Sequence, residues 1–197
     1  DAPDDSWTVW RQLNELFEVE EILQQATTVP DDADLLLLAH PEKIDERSKY
    51  AVDQYVMRGG KVIALLDPHS EVQASDPQRR RGPSPVVVAG SSIPELLKSW
   101  GAEIPTTDVI GDAALARRVQ VPTQGPVASR VAAIDYPMWL AIGPEQLNQD
   151  DLVTSELSLL HLASPGHIKP VEGATTTFTP LVTTTDEGGI GDLNLAQ

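Results

Sequence analysis

The sequence predicts an α/β domain with parallel strands, and three observations carry the prediction. Residues 35–66 read as strand, helix and strand in close succession, the spacing of a βαβ unit with a right-handed crossover. The two strand runs, Leu35-Leu36-Leu37-Leu38-Ala39 and Val62-Ile63-Ala64-Leu65-Leu66, are apolar without alternation, as expected for strands covered on both faces. At 197 residues the chain is long enough for a single such domain to bury its own core.

The elements follow in order. Val9, Trp10, Leu13, Leu16 and Phe17 make an apolar stripe at helical spacing behind Ser6 as N-cap. A short strand is expected over 18–23, then a break at Pro30-Asp31-Asp32 before the Leu35 strand, which His40-Pro41 ends. Asp45 caps a helix whose Val52, Tyr55 and Val56 share one face and which Gly59-Gly60 closes; Lys61 to Leu66 is the next strand, ending at Asp67-Pro68. Residues 73–85, with Pro77, Gly82, Pro83 and Pro85 and no apolar periodicity, read as a long mobile loop, and Val86-Val87-Val88 as a short strand. Ser92-Ile93-Pro94-Glu95 has capping-box spacing, and Ile93, Leu96, Leu97 and Trp100 continue a helix to Gly101. Beyond it the chain is more β-rich. Short β pieces are expected at 109–110, 119–121, 131–134 and 139–142, cut by Pro122, Gly125-Pro126, Pro137 and Gly143-Pro144. Residues 152–163 fit a helix or a strand, 175–185 read as a strand with Pro180 at an edge or bulge, and 186–197 as a frayed tail.

Charge and composition remove several function classes. Thirty acidic against fourteen basic residues give a net charge of −16, which repels nucleic-acid phosphates and anionic headgroups. The absence of cysteine removes disulfides, thiolate metal sites and a Cys nucleophile together. The longest apolar runs are five residues, too short to cross a bilayer. The start at Asp1-Ala2-Pro3, without Met or a signal-like stretch, suggests a piece of a longer protein.

Few residues gather into a candidate site. His40, His69, His161 and His167 have no metal-ligand spacing. His40 and His69 nevertheless both follow predicted strands, and the carboxyl ends of parallel strands are where open α/β sheets bind ligands. With Asp67 and Ser91 they form the candidate ligand crevice; as plain structure, the same residues are turn formers ending strands. Ser91 lies in Gly90-Ser91-Ser92-Ile93-Pro94, which lacks the second glycine of a nucleophile elbow, so a hydrolase would need Ser91, one of these histidines and Asp67 to meet. No phosphate-binding loop is present: Gly59-Gly60 ends a helix, and Gly188-Gly189-Ile190-Gly191 has neither a following helix nor a Lys. Arg79-Arg80-Arg81 is a lone basic run in an acidic chain, either a solvated loop or a contact point for an acidic partner or a membrane surface. Lys49 and Asp53 read as a surface pair, and Trp100 and Trp139 as core, with Trp139 beside Pro137 also placed to border a groove.

Several stretches carry a resemblance. Tyr50-Ala51-Val52-Asp53-Gln54-Tyr55-Val56-Met57-Arg58-Gly59-Gly60-Lys61-Val62-Ile63, continuing to Leu66-Asp67-Pro68, resembles the auxiliary component of ABC-type transport systems related to the gliding-motility protein GldG. So do Trp100-Gly101-Ala102-Glu103, Val109-Ile110-Gly111-Asp112, Ala116-Arg117-Arg118-Val119-Gln120 and Thr176-Thr177-Phe178-Thr179-Pro180-Leu181-Val182-Thr183-Thr184. The resemblance implies a flavodoxin-like or class I glutamine amidotransferase-like fold, a parallel sheet with helices on both faces, in one extracytoplasmic domain over 1–197. It further implies a membrane-anchored parent protein at the periplasmic face of the inner membrane, a first strand cut away or reduced to residues 1–5, and a permease or ATPase-permease complex as partner. It attaches no catalytic residue and no cofactor. The expected function is a non-catalytic module for protein or envelope contacts; the alternatives are a small-ligand binding domain and a degenerate hydrolase, both using the crevice.

Overall fold

A computed structural model describes residues 8–22, 26–41, 44–71, 90–91, 93–123 and 130–192, and side chains except those of 121–123 and 130–131. The chain divides into two compact units, Asp1–Leu35 with Ile44–Lys61, and Leu36–Lys43 with Val62–Gln197.

In the first unit, helix α1 (Thr8–Leu16) buries none of its residues, so its apolar stripe faces outward. The strand expected over 18–23 is absent over the described residues 18–22, where Glu18, Glu20 and Glu21 leave too few apolar groups for a covered face. Helix α2 (Glu46–Met57) matches its sequence signals. The Asp45 carboxylate accepts the Ser48 N–H at 2.8 Å as N-cap, and Gly59 follows the helix with φ +90°. Ala51, Val52 and Tyr55 are buried, and hydrogen bonds pin the 26–33 segment to the helix: Ser48 Oγ donates to the Ala26 carbonyl and Tyr55 Oη to that of Ala33. Gly60 lies against the Tyr55 ring, where a side chain would collide.

The second unit departs from the expected architecture. Among the described residues no parallel sheet with helices on both faces forms; their strands make three two-stranded sheets and one of three strands. β1 (Leu35–Ala39) pairs with β2 (Lys61–Leu65), and the His40 N–H donates to the Leu65 carbonyl at 2.9 Å, so the carboxyl ends of the two strands lie side by side. That is the local remnant of the expected βαβ unit. The expected two-sided cover is missing, since Ile63 and Leu65 are 47% and 56% exposed. All other pairings named below are antiparallel.

Helix α3 (Pro94–Ser99) is a short form of the expected helix, with Pro94 at its first turn and Ile93, Leu96 and Leu97 buried. Ser6, Ser92 and the strand expected at 86–88 lie outside the described residues. Gly101, at φ +85°, turns the chain out of α3 beneath Thr176 and Ala174, with no room for a Cβ. β3 (Ala102–Glu103) pairs with β8 (Lys169–Pro170), and β4 (Asp108–Asp112) pairs over its length with β9 (Gly188–Asp192). β9 falls inside the segment read as a frayed tail.

The three-stranded sheet has the order β5 (Ala116–Thr123), β6 (Arg130–Ile142), β7 (Leu160–Ala163). The β pieces read at 131–134 and 139–142 are one strand running through Pro137. Tyr136 pairs with Arg117 and Leu140 with Ala116, so Pro137 sits in a bulge where its missing N–H breaks no ladder bond. The 152–163 ambiguity resolves late and as strand: only 160–163 pair with β6, and Leu160 and Leu162 turn to the core. Leu140, Ile142 and Leu147 are the buried centre, with Ile110, Leu115 and Val182 packed around them. Residues 175–185 do not form the expected strand. They contribute one bridge, Leu147 to Val182, because the Leu147–Asn148 segment offers only a short length of edge.

Candidate functional site

The turn after β2 is pressed between two other segments. Pro68 is buried, and a Cβ on Gly90 would fall 2.6 Å from its carbonyl oxygen, while one on Gly166 would fall 2.9 Å from its Cγ. Glycine at both positions lets three backbones meet here. The close packing brings the predicted residues Asp67, His69 and Ser91 together, and His40 joins them from the end of β1 with its backbone at φ +46°.

Their chemistry is structural on one side and acidic on the other. The Ser91 hydroxyl is fully engaged with the main chain of Asp67: it accepts the Asp67 N–H at 2.6 Å and faces the Asp67 carbonyl at 3.4 Å. The Ser91 N–H donates to that same carbonyl at 2.8 Å, and the side chain is buried. This geometry clips two loops together, and among the described residues no hydrogen bond joins Ser91 to a histidine as an activated nucleophile requires. Asp67 is half-buried, and its carboxyl is pushed above the ordinary carboxylate range by that burial. The His69 N–H, at 3.0 Å, and the nearby His40 and His69 charges pull the other way without prevailing, and Glu71 adds to the rise.

Three residues with no part in the predicted crevice tie this turn to the sheet. Glu71 Oε1 accepts the Ser164 hydroxyl at 2.6 Å and the Trp139 indole N–H at 3.3 Å. Ser164 is buried with φ +47°, and its N–H donates to the Met138 carbonyl at 2.7 Å. Only Trp139, beside Pro137, carried a signal in the sequence; Glu71 and Ser164 are separated by most of the second unit and meet through tertiary packing alone.

A second acid performs a different task. Asp112, 1% exposed, accepts the Ala114, Leu115 and Thr185 N–H groups and the Thr185 hydroxyl. Burial alone would raise its carboxyl, but these donors outweigh it and hold the group below the ordinary range. His167 Nε2 lies 3.2 Å from Asp108 Oδ2 and lowers that carboxyl, which makes His167 part of a local pair outside the crevice.

Open recesses lie elsewhere. One of about 300 Å³ is lined by Asp31, Asp34, Tyr55, Arg58 and Lys61, and one of about 240 Å³ by Pro94, Lys98, Glu103 and Ile104. Among the described residues no group of His, Asp or Glu is placed to hold a metal ion, and no helix is long and apolar enough to cross a membrane. Arg79, Arg80 and Arg81 lie outside the described residues.

No curated protein and no solved structure matches the chain. A family model described as an ABC-type uncharacterized transport system matches residues 1–193. With nearly the whole sequence covered, the chain belongs to this family of auxiliary components of ABC-type transport systems.

Proposed function

We propose that the chain is a non-catalytic, GldG-like module of the auxiliary subunit, working on the extracytoplasmic side of a membrane-anchored parent protein and contacting the permease or its ATPase-permease complex. Family membership supports the transport context. The observation that carries the non-catalytic part is the Ser91 hydroxyl, held on the Asp67 main chain where a nucleophile would need a base. The test is isolation of the parent protein from its native membranes after mild crosslinking. Recovery of the permease in the crosslinked species is expected; recovery of the parent protein without any ABC component overturns the reading. Ester, peptide or glutamine turnover abolished by Ser91→Ala would overturn the non-catalytic part.

A second reading, a small-ligand site at His40, Asp67 and His69, is favoured by one observation: the two histidines stand close enough to act on a half-buried carboxyl. Such a site would take a small polar ligand that donates a hydrogen bond to Asp67. Saturable shifts of the His40 and His69 ring resonances on adding a ligand, lost in Asp67→Ala, would support it.

A further inference from the structure

The two-stranded β4–β9 sheet has one closed side and one open side. The Ile110 N–H donates to the Pro165 carbonyl at 2.7 Å, away from β9, so Ile110 and its partner Ile190 form a pair without ladder bonds between them. The same alternation turns the Ile190 N–H and carbonyl away from β4, to the outer edge of the sheet. No hydrogen bond reaches them there among the described residues. The Ile190 side chain is 63% exposed, and a Cβ on Gly189 would stand in open space, so nothing in the described structure covers this stretch of edge. Acidic residues flank it: Asp186 and Glu187 are exposed before the strand, and Asp192 is exposed at its end.

We propose that the β9 edge is a strand-addition site for an extended, basic segment of a partner protein. The proposal rests on the reading of the chain as a contact module and names the chemistry of the contact. Main-chain groups at Ile190 supply a donor and an acceptor for an added strand, and Ile190 supplies an apolar side chain for the pair. Charge selects the partner. Two copies of a chain of net charge −16 would bring Asp186, Glu187 and Asp192 against their like, which guards the edge from self-pairing, whereas Lys or Arg side chains on an incoming strand meet complementary charge.

The 197-residue chain, labelled for amide detection, is titrated with a Lys-Val-Lys-Val-Lys-Val peptide, with Glu-Val-Glu-Val-Glu-Val as control. The Lys peptide is expected to bind and to slow exchange of the Ile190 amide about tenfold or more, while the Glu peptide does neither. Ile190→Pro removes an N–H that the β4 ladder does not use, so the β4–β9 pairing is retained while affinity for the Lys peptide is expected to fall about tenfold. Asp186→Lys with Glu187→Lys, which leaves the main chain untouched, is expected to weaken binding about tenfold and to flatten its salt dependence. Unchanged affinity in Ile190→Pro, or binding without protection at Ile190, overturns the proposal. So does a concentration-dependent dimer in sedimentation that Ile190→Pro abolishes, which would assign the edge to a second copy. The peptide experiment uses the isolated chain, so its failure is distinct from failure to recover the permease with the parent protein.

Discussion

Asp67 and Asp112 both stand where a strand gives way to a turn, and their environments push them in opposite directions. Asp112 is almost wholly shielded from water, yet it is held ionised, because four donors from Ala114, Leu115 and Thr185 replace the lost water. Asp67 is only half-buried and receives one backbone N–H from His69, so its desolvation goes uncompensated and its carboxyl is raised. Donor count, more than depth, decides whether a buried carboxylate fixes the structure or stays chemically available. Asp112 is part of the framework that holds residues 112–115 to Thr185. Among the described residues the Asp67 carboxyl is held to its surroundings by a single donor, the His69 N–H.

The sharpest test of this contrast is removal of each carboxylate. Asp112→Ala strands several donors and is expected to lower unfolding free energy by about 3 kcal/mol in denaturant titration. Asp67→Asn is expected to change it by under about 1 kcal/mol, and upward at neutral pH, since it removes an uncompensated charge. Equal losses at the two positions would break the contrast.

Acid separates the pair by sign. The Asp112 carboxyl sits below its ordinary 3.8 when folded, so its contribution is present above 3.8 and is lost as pH falls through the lower folded value. Asp67, raised above 3.8, contributes in the reverse sense: its neutral form favours the fold below 3.8, and that contribution disappears as pH rises through the folded value. Stability profiles should therefore lose part of their acid-side slope in Asp112→Asn. Asp67→Asn should show its gain at neutral pH and none near about pH 3.

Smaller effects refine the picture of the turn. Ser91→Ala is expected to cost about 1 kcal/mol, the value of an engaged buried hydroxyl, and to leave any ligand response of His40 and His69 in place. Ile63→Ser, on the exposed face of β2, is expected to shift stability by less than about 0.5 kcal/mol, read in the same titration. A large loss at Ile63 would mean that its face is covered in solution.

Legibility in the sequence follows the range of the interactions. The Asp45 cap, the run from Val52 to Tyr55 and Gly59 specify α2 within a dozen residues, and the structure follows them. The runs at Leu35 and Val62 likewise mark two strands whose carboxyl ends meet, which brings Asp67 and His40 together. The same runs mislead about cover. An apolar strand records a preference for burial, whereas the parallel sheet and its two helical layers depend on elements far along the chain. The resemblance implied that architecture, and the β-rich half instead pairs as short antiparallel ladders.

By itself the sequence determined helix α2, the strands at Leu35 and Lys61, the strongly acidic charge, the absence of thiol chemistry and the motifs of a transport-system family. Tertiary structure alone decided that Pro137 lies in a bulge of one continuous strand, that Ser91 serves the Asp67 main chain, that Glu71 reaches Ser164, and that Asp112 is clamped by Thr185. Each of these depends on two segments distant in sequence meeting at hydrogen-bond range. Periodicity and capping report which conformation a segment favours, but the partner that satisfies a buried polar atom is fixed only when the chain has closed on itself.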